Sequence, residues 1–377
     1  MNTNKRIPVT VLTGFLGAGK STLLNRVLHD PVAKRALVII NEFGSIGVDH
    51  DLVAHADVES GVVELFNGCL CCTIRGDLSK TLKDARWRYS RGGERWFDRV
   101  IIETTGLADP APIVQTFLAD PAIAKRYALR QIVTVVDAVN GPGTLAAQPE
   151  AEKQVAVADA IVLTKADLAS ADQFAETQSR VRALNPAAPV HESLADAALA
   201  ELLQGTATFN PDQKGASVQA WLAEEAHADH SHSHSHSHGH HHHHHHDGHG
   251  HDPNRHNSRI RSISMSFDTP RSARVFDAWF DHLARLRGSD LLRVKGILNV
   301  SELDVPMVIH GVQHIWHPPE ILEAWPGEDR RSRVVFIVRD LEQSDLLEAL
   351  SFVTSHVENA QLTGVSGEER AAVLDSA

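Results

Sequence analysis

Gly14-Phe15-Leu16-Gly17-Ala18-Gly19-Lys20-Ser21 fits the pattern G-x-x-x-x-G-K-[ST] at every fixed position. Its flanks fit as well: an apolar, strand-like run at residues 9–13 precedes it, and a helical pattern at 21–29 follows. In that setting the glycines let backbone N–H groups close around phosphate oxygens, and the helix N-terminus adds partial positive charge. Lys20 is placed to reach the β- and γ-phosphates, and Ser21 to ligate Mg²⁺. Gly14, Gly17, Ala18, Gly19 and Thr22 complete the candidate phosphate site. The pattern calls for a nucleoside triphosphate and leaves the base open. It also decides the fold, because such a loop joins a buried strand to a helix in an α/β sheet.

Working outward, residues 36–41, 100–103, 132–137 and 160–164 are continuous apolar runs, as expected of parallel strands covered on both faces. A helical pattern at 174–184 alternates with them. We therefore expect a P-loop α/β domain over residues 1–215, with a mostly parallel, doubly wound sheet. Composition then breaks. Residues 227–256 hold 16 of the 25 histidines, including a run of seven at 240–246. No packed core forms from such a stretch, so residues 216–258 read as a disordered, histidine-rich linker. Residues 259–360 read as a smaller C-terminal α+β domain. A strand at 260–267 alternates Ile263, Met265 and Phe267, and an amphipathic helix at 270–286 carries Val275, Phe276, Trp279, Leu283 and Leu286. Strands at 291–300, 305–312 and 334–338 and a helix at 346–353 follow.

The chain carries 36 basic and 48 acidic residues, a net charge of −12, with no local basic patch. That argues against nucleic-acid binding. Three cysteines in 377 residues argue against a disulfide framework and fit a reducing compartment. The N-terminus lacks a signal-peptide core, and no stretch approaches the length of a membrane span. The expectation is a cytoplasmic protein with no membrane partner.

Base choice rests on residues 161–163, an apolar strand ending in Thr164-Lys165-Ala166-Asp167. GTPases commonly carry Asn-Lys-x-Asp at such a strand end. There the aspartate accepts hydrogen bonds from guanine and the lysine stem packs on the ring. Asp167 and Lys165 keep those roles, while Thr164 stands in place of Asn. The competing reading is a charged turn. Residues 99–106 form an apolar strand ending in Glu103, with a turn glycine, Gly106, three residues on. Glu103 is a candidate to hold Mg²⁺ through water or to orient the attacking water, and the Gly106 N–H to sense the γ-phosphate. Lys20 and Glu103 are the catalytic candidates. The loop 41–50 falls where a first switch would be. Its Glu42, Asp49 and His50 could serve Mg²⁺, a second metal or the attacking water.

All three cysteines lie in Cys69-Leu70-Cys71-Cys72, after Gly68. Thiolates at this spacing can converge on one soft ion such as Zn²⁺. Two or three sulfurs with an open position suit transfer better than storage. Buried packing and a redox pair of Cys69 and Cys72 are the other readings. The histidine tract can bind Zn²⁺, Ni²⁺ or Co²⁺ through imidazole. His310 and His314 are four apart, but the strand-like pattern around them favours packing or exposure over ligation.

Residues 14–21, 41–44, 68–72, 103–106 and 164–167, in that order, resemble the CobW-type metal-chaperone GTPases, and more distantly the urease and hydrogenase nickel-insertion GTPases. The resemblance implies slow hydrolysis of Mg-GTP. It implies Zn²⁺ or Co²⁺ held on Cys69, Cys71 and Cys72. It also implies delivery to a client metalloprotein, with release coupled to hydrolysis. A homodimer stays open. The rival readings are a cobalt-loading factor in cobalamin synthesis, a histidine-rich metal buffer and a small-molecule kinase.

Overall fold

A computed structural model describes residues 6–30, 33–42, 61–66, 72–91, 94–192 and 259–362, the side chains of 41–42, 61–77, 91, 94 and 358–362 excepted. Cys69, Cys71, Asp49, His50 and the histidine tract lie outside the described residues. The chain divides into two compact units, Met1–Ile260 and Arg261–Ala377.

The first unit is built on a parallel sheet. Its strands are β1 (Ile7–Gly14), β2 (Ala36–Glu42), β3 (Gly61–Phe66), β6 (Arg99–Glu103), β7 (Tyr127–Asp137), β8 (Ala160–Thr164) and β9 (Val190–Glu192). They lie in the order β3-β2-β6-β1-β7-β8-β9. A short antiparallel pair, β4 (Ser90–Arg91) and β5 (Glu94–Arg95), stands apart. The helices are α1 (Lys20–His29), α2 (Cys72–Arg88), α3 (Ala111–Ala119), α4 (Pro121–Ala124), α5 (Gly141–Ala147), α6 (Pro149–Ala156) and α7 (Ala171–Leu184). Leu23, Leu24, Val27 and Leu28 of α1 pack with Val133 and Val135 of β7 and Val162 of β8. The intervening Thr134 of β7 hydrogen-bonds α6 through the Gln154 carbonyl at 2.7 Å. Helices therefore cover both faces, which is why the strands read as unbroken apolar runs. Each fully buried Leu, Ile or Val contributes about 1.5–3 kcal/mol to that sandwich.

β1 lies between β6 and β7, so the phosphate loop emerges at the middle of the sheet. The strand expected at 132–137 starts earlier, at Tyr127. A register shift explains why the pattern hides it: Val9 pairs with Leu129 but Thr10 with Gln131, so Arg130 is an extra residue. The polar pair Arg130-Gln131 interrupts the apolar run at that bulge. β3 and β9, which the sequence reading did not foresee, extend the sheet at its two edges. Along the chain β3 falls between β2 and the cysteine motif, and Cys72 opens α2.

The second unit is an antiparallel sheet with two helices. β10 (Ile260–Phe267), β11 (Leu291–Leu298), β12 (Met307–Val312), β13 (Ile315–Trp316) and β15 (Ser332–Arg339) run in the order β10-β15-β11-β12-β13, and β14 (Glu320–Ile321) pairs with β12. α8 (Ala273–Arg287) and α9 (Gln343–Leu362) share one core with the sheet, in which Trp279, Phe276, Phe336, Val294 and Leu346 are buried. The Trp279 Nε1–H donates to the Leu346 carbonyl at 3.1 Å, so the largest buried ring has its polar atom satisfied. α8 begins at Ala273 and not at residue 270, because the Ser272 hydroxyl accepts the Val275 N–H and caps the helix there. Among the described residues no helix is long and apolar enough to cross a membrane.

Candidate nucleotide-binding site

The loop from Gly14 to Ser21 joins β1 to α1 as expected. Gly14 holds φ +144°, and a Cβ there would lie 2.3 Å from the Val135 carbonyl oxygen. No other residue type fits that approach of β7 to the loop. Gly19 is the N-cap of α1; no side chain caps the helix, and its first turn holds no acid. Its end amides and dipole thus face the loop with no acid of the helix itself competing for them. Lys20 is nearly buried, and its Nζ donates to the Phe15 carbonyl at 3.2 Å, folded over the loop. Thr22 is exposed.

Glu103 ends β6 one strand away. It is 4 % exposed, and its Oε1 accepts the Ser21 hydroxyl at 3.1 Å. Serine hydroxyl and carboxylate oxygen form a hard donor pair, the type Mg²⁺ prefers. Below them the Thr104 hydroxyl donates to the Thr13 hydroxyl at 2.8 Å, locking the bases of the two loops together. Gly106 lies against the phosphate loop: a Cβ there would come within 2.5 Å of the Leu16 nitrogen.

Thr164 and Lys165 approach from β8. The Thr164 hydroxyl donates to the Ala18 carbonyl at 2.6 Å. Threonine in place of asparagine thus still ties the strand end to the phosphate loop. Lys165 adopts φ 56°, and its Nζ bridges the Gly17 carbonyl at 2.8 Å and Asp137 Oδ2 at 2.7 Å. Asp167 is exposed in the turn that follows. A cavity of about 380 Å³ runs beneath the loop, lined among others by Phe15, Leu16, Asp137, Asn140, Gln154 and Lys165.

Asp137 is the organising residue that sequence reasoning missed. Oδ1 accepts the Val139 and Asn140 N–H groups at 2.8 and 3.1 Å, and Oδ2 accepts Asn140 Nδ2 at 2.9 Å besides Lys165. Burial raises its carboxyl pKa, but the Lys165, Asn140 and Val139 hydrogen bonds outweigh that and hold it below the usual carboxylate range. The signal was available: Asp137 ends an apolar run, as Glu103 does.

The structure thus brings Lys20, Ser21, Glu103, Gly106, Thr164 and Lys165 around one loop. Glu42 ends β2 and Cys72 begins α2, each by backbone alone; Cys69 and Cys71 fall outside the described residues. In the second unit, His310 and His317 have ring centroids 6.3 Å apart, and His314 is exposed. Among the described residues no group of three or more potential metal ligands occurs.

The CobW/HypB/UreG nucleotide-binding domain matches residues 8–192, and the cobalamin synthesis protein CobW C-terminal domain matches 260–353. The chain belongs to the CobW family. It is a P-loop GTPase of that family, as the loop and Thr164-Lys165-Ala166-Asp167 led us to expect. Along nearly its whole length this CobW-family chain is similar to the zinc chaperone YjiA of Escherichia coli K12: 31% identity over 350 residues, 92% of this chain and 98% of that one. The zinc-regulated GTPase metalloprotein activator 1 of Schizosaccharomyces pombe is 36% identical over 192 residues, half of this chain and 46% of its own. A crystal structure of zinc-bound YjiA GTPase from E. coli covers 93% of this chain and 99% of its own, with a TM-score of 0.62 and 25% identity.

Proposed function

We propose that this CobW-family GTPase is a zinc chaperone that carries its metal on Cys69, Cys71 and Cys72 and hands it to a client metalloprotein when GTP is hydrolysed. The observation that carries the reading is the end-to-end similarity to a zinc chaperone, 92% of one chain against 98% of the other. The cysteine spacing supports it, because three clustered thiolates suit Zn²⁺ and leave a position open for transfer. Co²⁺ fits the same donors.

In this reading Asp167 and Lys165 receive the guanine, and Lys20, with the loop amides, receives the phosphates. Ser21 and Glu103 would hold Mg²⁺, which neutralises phosphate charge when bound. In the alternative role Glu103, 4 % exposed and on the Ser21 hydroxyl, would orient the attacking water beside the γ-phosphate. Gly106 would offer its N–H to that phosphate. Cys72, the last residue of the cysteine motif, opens α2, which connects along the chain to β6 and so to Glu103 and Gly106. Loss of the γ-phosphate would release the loop after β6 and change the thiolate geometry. Residues 1–215 would form the GTPase domain. Residues 216–258 would collect metal for it, and 259–360 would meet the client, all in the cytoplasm; a homodimer would be compatible with this organisation.

The test is competitive titration with Zn²⁺, Co²⁺ and Ni²⁺ of the wild type and of a Cys69→Ser, Cys71→Ser, Cys72→Ser variant, each with Mg-GTP, with Mg-GDP and without nucleotide. We expect a tight zinc site that depends on the cysteines and weakens in the GDP state. By linkage, zinc must then change GTP affinity by the same factor. Equal metal affinity in all three nucleotide states refutes the coupling, and tight binding that survives loss of the cysteines refutes the site.

A further inference from the structure

We propose that Gln154 and Lys153, neighbours on α6, are positioning residues for GTP hydrolysis that latch the loop after β6 against the phosphate loop. The proposal rests on the reading of Gly106 as the γ-phosphate contact.

Gln154 is 1 % exposed. Its Nε2 donates to the Gly106 carbonyl at 3.1 Å and the Ala108 carbonyl at 3.0 Å. Both amide hydrogens are therefore spent on one short loop. Lys153 adds a second point of attachment, with its Nζ 3.1 Å from Asp109 Oδ2. Asp109 Oδ1 in turn accepts the Ala111 N–H at 2.9 Å, at the start of α3. Two consecutive residues of α6 thus engage Gly106, Ala108 and Asp109.

The anchor of this latch is shared with the phosphate loop. The Gln154 carbonyl accepts the Thr134 hydroxyl on β7 at 2.7 Å, and β7 pairs with β1 up to Gly14. From the other side Gly106 abuts the Leu16 backbone, where a Cβ would lie 2.5 Å from its nitrogen. The loop is gripped between α6 and Leu16, so the Gly106 peptide is referenced to the same strand as the phosphates. Hydrolysis is sensitive to such placement, since misplacing a reacting group by about 1 Å costs on the order of 10²-fold.

The residue type fits the task. Two carbonyls must be held by one buried side chain, and a carboxamide supplies both hydrogens without a charge. Glutamate would turn an acceptor toward each carbonyl, and methionine would leave both unpaired. GDP has no γ-phosphate to meet this loop, so the latch should act on the GTP state alone.

The experiment uses the full chain with Gln154→Met and Lys153→Met. It measures steady-state GTP hydrolysis together with affinities for GDP and for a slowly hydrolysed GTP analogue. We expect Gln154→Met to lower kcat by about 10- to 100-fold and to weaken the analogue about 5- to 10-fold, with GDP affinity held within about twofold. Lys153→Met, which removes a mostly buried pair at the rim of the loop, should show the same pattern at about two- to fivefold. Should Gln154→Met fail to fold, Lys153→Met carries the test alone. Equal weakening of GDP and analogue, or an unchanged kcat, overturns the latch. Gly106→Ala separates the two ideas. If it leaves the preference for the analogue over GDP intact, the reading of Gly106 fails. If it abolishes that preference while both α6 variants keep wild-type values, the latch alone fails.

Discussion

Asp137→Asn should loosen the phosphate loop from the side of the base. The carboxylate accepts four hydrogen bonds, from the Val139 and Asn140 N–H groups, Asn140 Nδ2 and Lys165 Nζ. An asparagine keeps one acceptor oxygen and turns its amide toward a partner that is itself a donor. If the oxygen stays on the backbone amides, the amide faces Lys165 and Asn140. A charge-assisted bond contributes about 1.5–3 kcal/mol, and a neutral one about 1. Lys165 is 36% exposed, so water recovers part of the loss. A net local cost of about 2 kcal/mol follows, or about 30-fold in the opening equilibrium. Lys165 also holds the Gly17 carbonyl, and with its anchor gone it should present its stem less well to a base. GDP affinity should fall about tenfold, or about 1.4 kcal/mol. Hydrogen exchange of the Val139 and Asn140 amides reads the first quantity and calorimetric GDP titration the second. The pH dependence has a fixed sign. Native Asp137 sits below its ordinary pKa of 3.8, so its stabilisation is present above that value and is lost as pH falls through the lower native one. The gap between variant and wild type must therefore close in acid. Unchanged exchange together with unchanged GDP affinity refutes the assignment of Asp137 as the anchor of Lys165.

Two further outcomes follow from single contacts. Thr164→Val keeps the side-chain shape but removes the donor to the Ala18 carbonyl, so GDP affinity should drop by about fivefold, from roughly 1 kcal/mol, in the same titration. Tyr127→Phe removes a buried hydroxyl that donates to the Leu82 carbonyl at 2.8 Å and should cost about 1 kcal/mol near neutral pH. Burial raises the Tyr127 pKa to about 12, so wild-type stability carried by this group is complete below about 10 and is lost between about 10 and 12. Denaturant unfolding in that window should show the phenylalanine variant losing less than the wild type.

Glu103, Gly106 and the phosphate loop meet across two adjacent strands, β1 and β6. That adjacency was legible only as an expectation, from an acid at the end of one apolar run and a glycine-rich turn at the end of another. The sheet order made them neighbours. The bulge at Arg130 shows the opposite case. There a polar pair broke the apolar run, and the pairing of β7 with β1 continued regardless, because hydrogen bonds to a neighbouring strand outweigh local pattern.

By itself the sequence determined everything that a contiguous stretch of backbone can encode. The phosphate loop works through its own glycines and the helix it starts, so Gly14 to Ser21 could be read without the fold. The same holds for the strand ends at Glu103 and Thr164 and for the clustering of the cysteines. The tertiary structure decided the long-range hydrogen bonds. Asp137 meets Lys165 across 28 residues, and Gln154 meets Gly106 across 48. A glutamine in a short helix has no local signature that separates it from a solvated surface residue. Its burial, and the two carbonyls it holds, exist only once α6 packs on β7 beside the loop.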